Sequence, residues 1–278
     1  MATRILFGTA GIPLSTKKPS TASGIERVKE LGLEAMELEF VHGVNLKKET
    51  AEEVKKTKEA LGISLSVHGP YYINLNSLEK EKQKASMQRV FDSAKVGNWC
   101  GAHAITFHPA YIQGMPREQV AKTVQKNLEE ILERMKQNGI QSVIKPETTG
   151  KPSAYGSLEE LLELHKQLPE IQPYIDFSHV HARDNGRFKT KEDVKKAFEA
   201  IEKTDRQLFK DLNMHMSGIE FTPKGEKKHL VLQDKKNSFP YQWVLECLKE
   251  FNVSGMVICE SPNIEEDALL MQKYFRQL

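Results

Sequence analysis

The amino-acid sequence predicts an alternating α/β fold, and three observations support this. Short apolar runs recur at intervals of about 30 to 45 residues, as in repeated βα units. Lys/Glu-rich segments with helical periodicity separate the runs, and 278 residues suffice for eight such units. With no linker or low-complexity tract, the sequence indicates one domain over residues 1–278, a single (β/α)8 TIM barrel. The predicted strands are Ile5 to Gly8, Ala35 to Phe40, Ser64 to Val67, Ala104 to Phe107, Ser142 to Pro146, Tyr174 to Phe177, Leu212 to Met216 and Met256 to Cys259.

The segments between these runs have the pattern of helices that cover a barrel. Residues 48–61 place apolar side chains on one face and charged side chains on the other. Gly32, Gly62 and Gly139 follow three such segments at the position where a helix ends in a left-handed residue. The sequence therefore predicts helices that end at these glycines.

Composition excludes several classes of protein. Hydrophobic residues make up 39% and charged residues 28%, and 40 Lys plus Arg against 38 Asp plus Glu leave a net charge of +2. This balance excludes a globally basic nucleic-acid binder, although a local basic groove is compatible with it. Cys100, Cys247 and Cys259 are too widely spaced for a Cys-rich zinc site or a disulfide framework. We expect a cytoplasmic protein without membrane spans, because the start of the chain and the apolar runs are too short for a signal peptide or a span.

Histidines and carboxylates collect at the carboxyl ends of the predicted strands. This end of a (β/α)8 barrel carries the chemistry. Asp176 and His179 stand three apart, so the chain must leave the sheet between them. Neutral imidazoles and carboxylates that converge on one cavity suit Zn²⁺, or Mn²⁺ and Fe²⁺ less specifically, and the set is larger than one ion needs. The candidate metal ligands are His68, His108, Glu147, Asp176, His179, His215, His229 and Glu260.

The same residues carry a resemblance to a known family. In their order along the chain, these residues resemble the endonuclease IV family of apurinic/apyrimidinic DNA nucleases, within the wider group of xylose-isomerase-like barrels. The set of segments is specific, although each segment alone is not. The matching segments are residues 67–75 (VHGPYYINL), 107–109 (FHP), 147–150 (ETTG) and 176–179 (DFSH), His215, Lys228-His229 and residues 260–262 (ESP).

The resemblance implies three metal sites and a reaction. The metals would activate water for hydrolysis of the DNA phosphodiester 5′ to an abasic site, and they would stabilise the charge on phosphate. Glu147, Glu260 and His108 are the predicted catalytic residues, and duplex DNA with abasic sites is the predicted partner of what we expect to be a monomer. By resemblance, His68, His108 and Glu147 hold one zinc, Glu147, Asp176, His215 and Glu260 a second, and His179 and His229 part of a third.

The resemblance also implies DNA contacts beside the metals. Tyr71 and Tyr72 would lie on the loop that enters the gap left by a missing base. Packing against the barrel rim is the alternative for these rings. Asn74 lies on the same loop, and Arg183 and Lys145 belong to the basic residues near the predicted rim that could reach phosphates. The loop after the second strand is shorter and less basic than in the family, which weakens the case for duplex DNA.

One departure from the family pattern concerns the third metal. The family has Asp-Arg-His where this chain has Lys227-Lys228-His229. Because Lys227 stands at the aspartate position, and Glu226 could substitute only if the loop shifts, the sequence predicts two firm metal sites and a third that is weak, empty or replaced by the ammonium group.

Two other functions remain open at this point. Glu147, Asp176, His215 and Glu260 alone would supply the single-metal site of a sugar or sugar-phosphate isomerase or epimerase. A binding protein for DNA or polyols that has lost catalysis is a further alternative. The surplus histidines favour the nuclease, because a single-metal isomerase has no use for them, and fold alone does not choose between functions.

Overall fold

The structure, a computed structural model, describes residues 4–278, so Met1–Thr3 of the predicted domain lie outside the described residues. Eight parallel strands form the main sheet, and two small antiparallel pairs lie outside it. The strands are β1 (Ile5–Ala10), β2 (Ala35–Glu39), β3 (Ser64–His68), β4 (Ala104–Phe107), β5 (Ala110–Tyr111), β6 (Val143–Pro146), β7 (Ala154–Tyr155), β8 (Ile175–Asp176), β9 (Leu212–Met216), β10 (Gly218–Thr222), β11 (Gly225–Leu230) and β12 (Gly255–Cys259).

The main sheet is the predicted (β/α)8 TIM barrel. Its order is β6-β4-β3-β2-β1-β12-β9-β8, which puts β6 and β8 at the two ends. A parallel bridge between Glu147 and Tyr174 joins these ends. In this bridge, the Tyr174 N–H donates to the carbonyl of Pro146 at 2.9 Å, and the Thr148 N–H donates to the carbonyl of Tyr174 at 3.0 Å. These bonds close the barrel, and the strands agree with the predicted ones to within one or two residues at each end.

Helices surround the barrel and bury their apolar faces on it. The predicted helix at residues 48–61 is confirmed, and Gly62 ends it with φ at +68°. Gly32 and Gly139 also have positive φ, as their positions predict. Among residues 4–278 the α-helices are α1 (Thr21–Glu30), α2 (Lys48–Leu61), α3 (Lys80–Cys100), α4 (Arg117–Gln137), α5 (Leu158–Gln167), α6 (Phe177–Arg183), α7 (Lys191–Asp205), α8 (Tyr241–Glu250) and α9 (Glu265–Gln277). None of these helices has both the length and the apolarity of a membrane span.

The two small strand pairs lie on the carboxyl side of the barrel strands. Strands β10 and β11 form an antiparallel hairpin directly after β9, and β5 pairs with β7. No strand is predicted for residues 218–230, which follow the seventh predicted strand. The hairpin brings His229, which lies on β11, back over the barrel.

A charged cluster around a buried lysine occupies the amino-terminal end of the barrel, which we call the floor. The Lys145 ammonium is fully buried there, and it donates to the Asp211 carboxylate at 2.6 Å and to the Asn213 side-chain oxygen at 2.8 Å. His103 lies 2.6 Å from the same carboxylate. The prediction that Lys145 lies near the rim is therefore wrong. Its side chain points inward one layer below Glu147, since alternate residues of a strand share a face.

Candidate metal centre

The structure brings all the predicted metal ligands together at the carboxyl end of the barrel, which we call the mouth. Each of three groups offers ligand atoms that lie within 4.8 Å of one another. Two groups coincide with the ligand sets that the resemblance implies, and the third adds two carboxylates to the two predicted histidines. The groups are His68, His108 and Glu147; Glu147, Asp176, His215 and Glu260; and Asp176, His179, His229 and Glu260.

Glu147 is the centre of this arrangement. It is fully buried, directly after β6. Its Oε2 lies 3.2 Å from His68 Nε2 and 3.4 Å from His108 Nε2, whereas its Oε1 lies 3.1 Å from His215 Nδ1 and 3.2 Å from His179 Nδ1. The two oxygens thus face different histidines. Glu147 can therefore bridge two ions, as the resemblance implies.

Hydrogen bonds behind the site orient two of the histidines. His68 Nδ1–H donates to the Gly69 carbonyl at 2.8 Å, so Nε2 is the nitrogen that faces Glu147. His215 Nε2–H donates to the Glu37 carboxylate at 2.6 Å, so Nδ1 faces the site. A carboxylate or carbonyl behind a histidine fixes the ring and increases its basicity toward a metal. This pattern is typical of metal-binding histidines.

Glu37 contacts the candidate ligand His215 and was not predicted from the sequence. It lies on β2 and is fully buried, and besides His215 it accepts hydrogen bonds from Ser66 at 2.6 Å and Tyr174 at 3.3 Å. Its signal in the sequence is weak: it is one of two glutamates in the short strand Ala35–Glu39, and no predicted metal ligand follows that strand. Such a residue is costly to bury unless it has charged or donor partners.

Several buried ligand atoms of the site have no hydrogen-bond partner within residues 4–278. Glu147 Oε1, Asp176 Oδ2, His215 Nδ1 and Glu260 Oε2 are buried without a hydrogen-bond partner among the residues that the structure describes. Imidazole nitrogens approach some of these oxygens, but without hydrogen-bonding geometry. Buried carboxylate oxygens without donors are expensive, and buried charges are usually paired or bound to metals. The donor set and its unpartnered atoms fit divalent cations.

The pKa shifts reflect the same crowding. Burial alone lowers the pKa of His68, but the hydrogen bond with Glu147 raises it to about 10. Burial likewise favours the neutral form of Glu147, yet the charge of His108 holds the pKa of that carboxyl well below its ordinary value. Burial raises the pKa of Glu260 well above its ordinary value. Protons thus bind some site residues where cations would otherwise supply the positive charge.

The turn between Asp176 and His179 has a clear local cause. Asp176 ends β8 and caps helix α6, because its Oδ1 accepts the His179 N–H at 2.8 Å. The chain leaves the sheet here, as predicted. His179 Nδ1–H donates to the Thr148 carbonyl at 3.0 Å, which leaves Nε2 to face His229 Nε2 at 3.2 Å.

A cavity of about 300 Å³ opens above the ligands. Its walls include Glu226, Lys151 and the tyrosines Tyr71 and Tyr111. Tyr71 and Tyr72 are 59% and 62% exposed, so neither ring is packed into the rim. Tyr72 lines an adjoining groove. The mouth is therefore a polar cavity with exposed aromatic side chains at its edge.

Two predicted DNA contacts have other partners in the structure. The Arg183 guanidinium is buried and donates to the carbonyls of Thr149, Lys151 and Ala154 at 2.7 to 3.1 Å. The Asn74 side-chain oxygen accepts the Tyr111 N–H at 3.1 Å. Arg183 holds the loop after β6 and faces the protein interior, which corrects its predicted place at the rim. Asn74 joins two rim loops.

The fold and the site agree with the family to which the chain belongs, the xylose isomerase-like TIM barrels, whose model matches residues 25–278. An uncharacterized protein of Methanocaldococcus jannaschii, MJ0133, is 39% identical over 275 residues, which are 99% of this chain and 98% of that protein. A probable endonuclease 4 of Aquifex aeolicus is 28% identical over 204 residues, 71% of each chain. The family contains enzymes of more than one reaction class.

Solved structures show the same fold. A D-tagatose 3-epimerase-like protein matches with a TM-score of 0.73 and 19% identity, over 98% of this chain and 96% of that one. Endonuclease IV from Thermus thermophilus matches with a TM-score of 0.71 and 19% identity, over 97% of this chain and 98% of that one. These two values are too close to separate an isomerase from a nuclease, so the choice depends on the site.

Proposed function

We propose that the protein is a metal-dependent endonuclease that hydrolyses the DNA phosphodiester 5′ to an abasic site, with zinc as its first candidate metal and Mn²⁺ or Fe²⁺ as alternatives. The observation that carries the proposal is the number of converging histidines. Beyond the four-ligand group around His215, the side chains of His68, His108, His179 and His229 reach the same cavity. A reaction that uses one metal leaves these histidines without a role.

The chemistry of phosphodiester cleavage suits this arrangement. Several cations in one site activate water and neutralise the charge that grows on phosphate, and together they contribute several kcal/mol. Glu147 would bridge two ions, and His108, which is partly exposed, lies at the entrance to the first ligand group. The rings of Tyr71 and Tyr72 are exposed, and they would stack where a base is missing. The resemblance to a probable endonuclease 4 supports the same reaction.

A sugar epimerase or isomerase is the second candidate. Glu147, Asp176, His215 and Glu260 form a complete four-ligand group without the other histidines. The cavity volume of about 300 Å³ is also sufficient for a monosaccharide. This candidate predicts one firmly bound metal and activity on free or phosphorylated ketoses.

One experiment separates the two candidates. Protein loaded with Zn²⁺ or Mn²⁺ is incubated with a duplex that contains a single abasic site and, in parallel, with a panel of free and phosphorylated ketoses. We expect incision 5′ to the lesion with a 3′-hydroxyl product and no change in the sugars. Turnover of a ketose without incision of the duplex would exclude the nuclease.

The matched variant is Glu147→Gln, which keeps the size of the side chain and removes the bridging carboxylate. Incision should fall by roughly three orders of magnitude, because the metals contribute several kcal/mol to the barrier. Circular dichroism checks that the barrel is folded. Incision near the wild-type rate would contradict the role of Glu147.

A further inference from the structure

A β-bulge in the hairpin changes how the sequence around Lys227 is interpreted. In the pairing of β10 with β11, Glu220 lies opposite Lys228 and Phe221 lies opposite Glu226, so the register shifts between these pairs. Lys227 is the additional residue. Its ammonium donates to Glu220 at 2.9 Å, and its side chain is 55% exposed. Lys227 therefore does not occupy a metal position.

The bulge determines which side chains of β11 face the cavity. Side chains of a regular strand alternate between the two faces, so residues three apart point in opposite directions. One additional residue in the strand re-aims the side chains on one side of the bulge. Glu226 and His229 accordingly line the same cavity, although they are three apart. Glu226 Oε2 lies 3.5 Å from His179 Nε2, and Glu226 Oε1 lies 3.9 Å from His229 Nε2.

The position of Glu226 is fixed by a close backbone contact. Its N–H donates to the carbonyl of Gly150 at 2.8 Å. A Cβ atom on Gly150 would lie 2.5 Å from the Glu226 Cβ, and one on Gly225 would overlap the Gly150 carbonyl oxygen. Only glycine fits at these two points. The loop after β6 and the hairpin are therefore packed directly against each other. Glu226 lies at this contact, and its carboxylate faces His179 and His229.

The hairpin is also held from its other side. Phe221 packs edge-on against the ring of His181 on α6, with ring centroids 5.4 Å apart. His181 faces this aromatic packing, where burial lowers its pKa to about 4. Gly186 allows the Phe221 ring to approach, because a Cβ there would lie 3.3 Å from the ring. The hairpin thus has a fixed position relative to the metal ligands.

We propose that Glu226 is a ligand of the third metal, together with His179 and His229, and that Lys227 is an insertion accommodated by the bulge. Omitting Lys227 leaves Glu-Lys-His, an acidic residue, a basic residue and a histidine in the order of the family's Asp-Arg-His. The prediction that the third site lacks its carboxylate is thereby revised. This inference rests on the multi-metal site of the proposed function, and it concerns metal binding alone.

The test is the metal content of purified protein, measured by native mass spectrometry after saturation with Zn²⁺ and dialysis. The wild-type chain should retain about three zinc ions, and Glu226→Gln should lose about one of them. Lys227→Ala is the matched control on the adjacent residue and should retain all. Deletion of Lys227 should also retain all, because a regular strand of Glu-Lys-His keeps Glu226 and His229 on one face.

The outcomes separate this inference from the proposed function. Full zinc content in Glu226→Gln, or loss of one zinc in Lys227→Ala, would overturn the role of Glu226 and leave the nuclease intact. A wild-type chain that retains a single zinc would overturn both. Loss of one zinc in Glu226→Gln from a protein that does not incise abasic duplex would support Glu226 and contradict the nuclease.

Discussion

The barrel contains two charged clusters with buried members, one at each end, and they are built in opposite ways. At the floor, the Lys145 ammonium donates to the Asp211 carboxylate, the Asp211 carbonyl and the Asn213 side chain, all at 2.6 to 2.8 Å. At the mouth, carboxylate oxygens of Glu147 and Glu260 are buried without a hydrogen-bond partner in the described part of the chain. The floor pairs its buried ammonium with protein acceptors, whereas the mouth leaves buried carboxylate oxygens without donors among residues 4–278.

This difference distinguishes a structural cluster from a functional one. A buried charge that has a complete set of protein partners stabilises one conformation and has nothing to offer a ligand. A group of carboxylates and imidazoles with unpartnered atoms is costly by itself, and it becomes favourable when cations bind. The mouth should therefore respond to metals and the floor should not.

The largest expected effect is at the floor. Lys145→Met removes a buried ammonium and takes a donor from Asp211 and from the buried Asn213 side-chain oxygen, so the free energy of unfolding should fall by about 2–4 kcal/mol. Urea denaturation with and without bound metal measures this loss. The loss should be the same in both conditions, and Lys151→Met, at the exposed rim, should leave stability unchanged. A loss that appears only in the metal-bound protein would contradict the separation of the two ends.

The next effect concerns the link between β2 and the mouth. Glu37→Gln weakens the hydrogen bond that orients His215, so the affinity of the second ligand group for metal should fall by about 10–100-fold. Competition with a chromophoric chelator measures this change. Unchanged affinity would show that Glu37 is a packing residue with no influence on the metal.

The smallest effect concerns the exposed aromatic edge of the mouth. Tyr72→Ala should weaken binding to abasic duplex by about 1 kcal/mol, the lower end of the range for stacking on an aromatic side chain, because the ring is largely exposed. Fluorescence anisotropy compares abasic with intact duplex. His103→Ala, at the floor, is the control and should bind both as the wild type does. An equal loss on both duplexes would assign Tyr72 a general role in the shape of the rim.

The sequence predicted the barrel and the ligands at its mouth because both leave local signals. A short apolar run that ends in His68 or Glu147 can be recognised without its neighbours, and the glycine after α2 marks where that helix ends. The point at which the chain leaves the sheet, after Asp176, was predicted from the three-residue spacing of Asp176 and His179 alone.

The remaining features depend on pairing between distant strands. The bulge at Lys227 is a property of two strands together, so sequence spacing alone does not show that Glu226 and His229 line the same cavity. The inward direction of Lys145 and the contact between Glu37 and His215 likewise depend on which strands are neighbours across the barrel. Arg183 appeared to be a basic rim residue because its acceptors are backbone carbonyls, which a sequence does not distinguish.

The most direct test of the central claim is anomalous X-ray diffraction at the zinc edge from crystals grown with Zn²⁺. We predict anomalous peaks among His68, His108 and Glu147, among Asp176, His215 and Glu260, and between His179, His229 and Glu226. Anomalous maps without a peak at any of these positions, from crystals in which the mouth is well ordered, would contradict the assignment of the mouth as a metal centre.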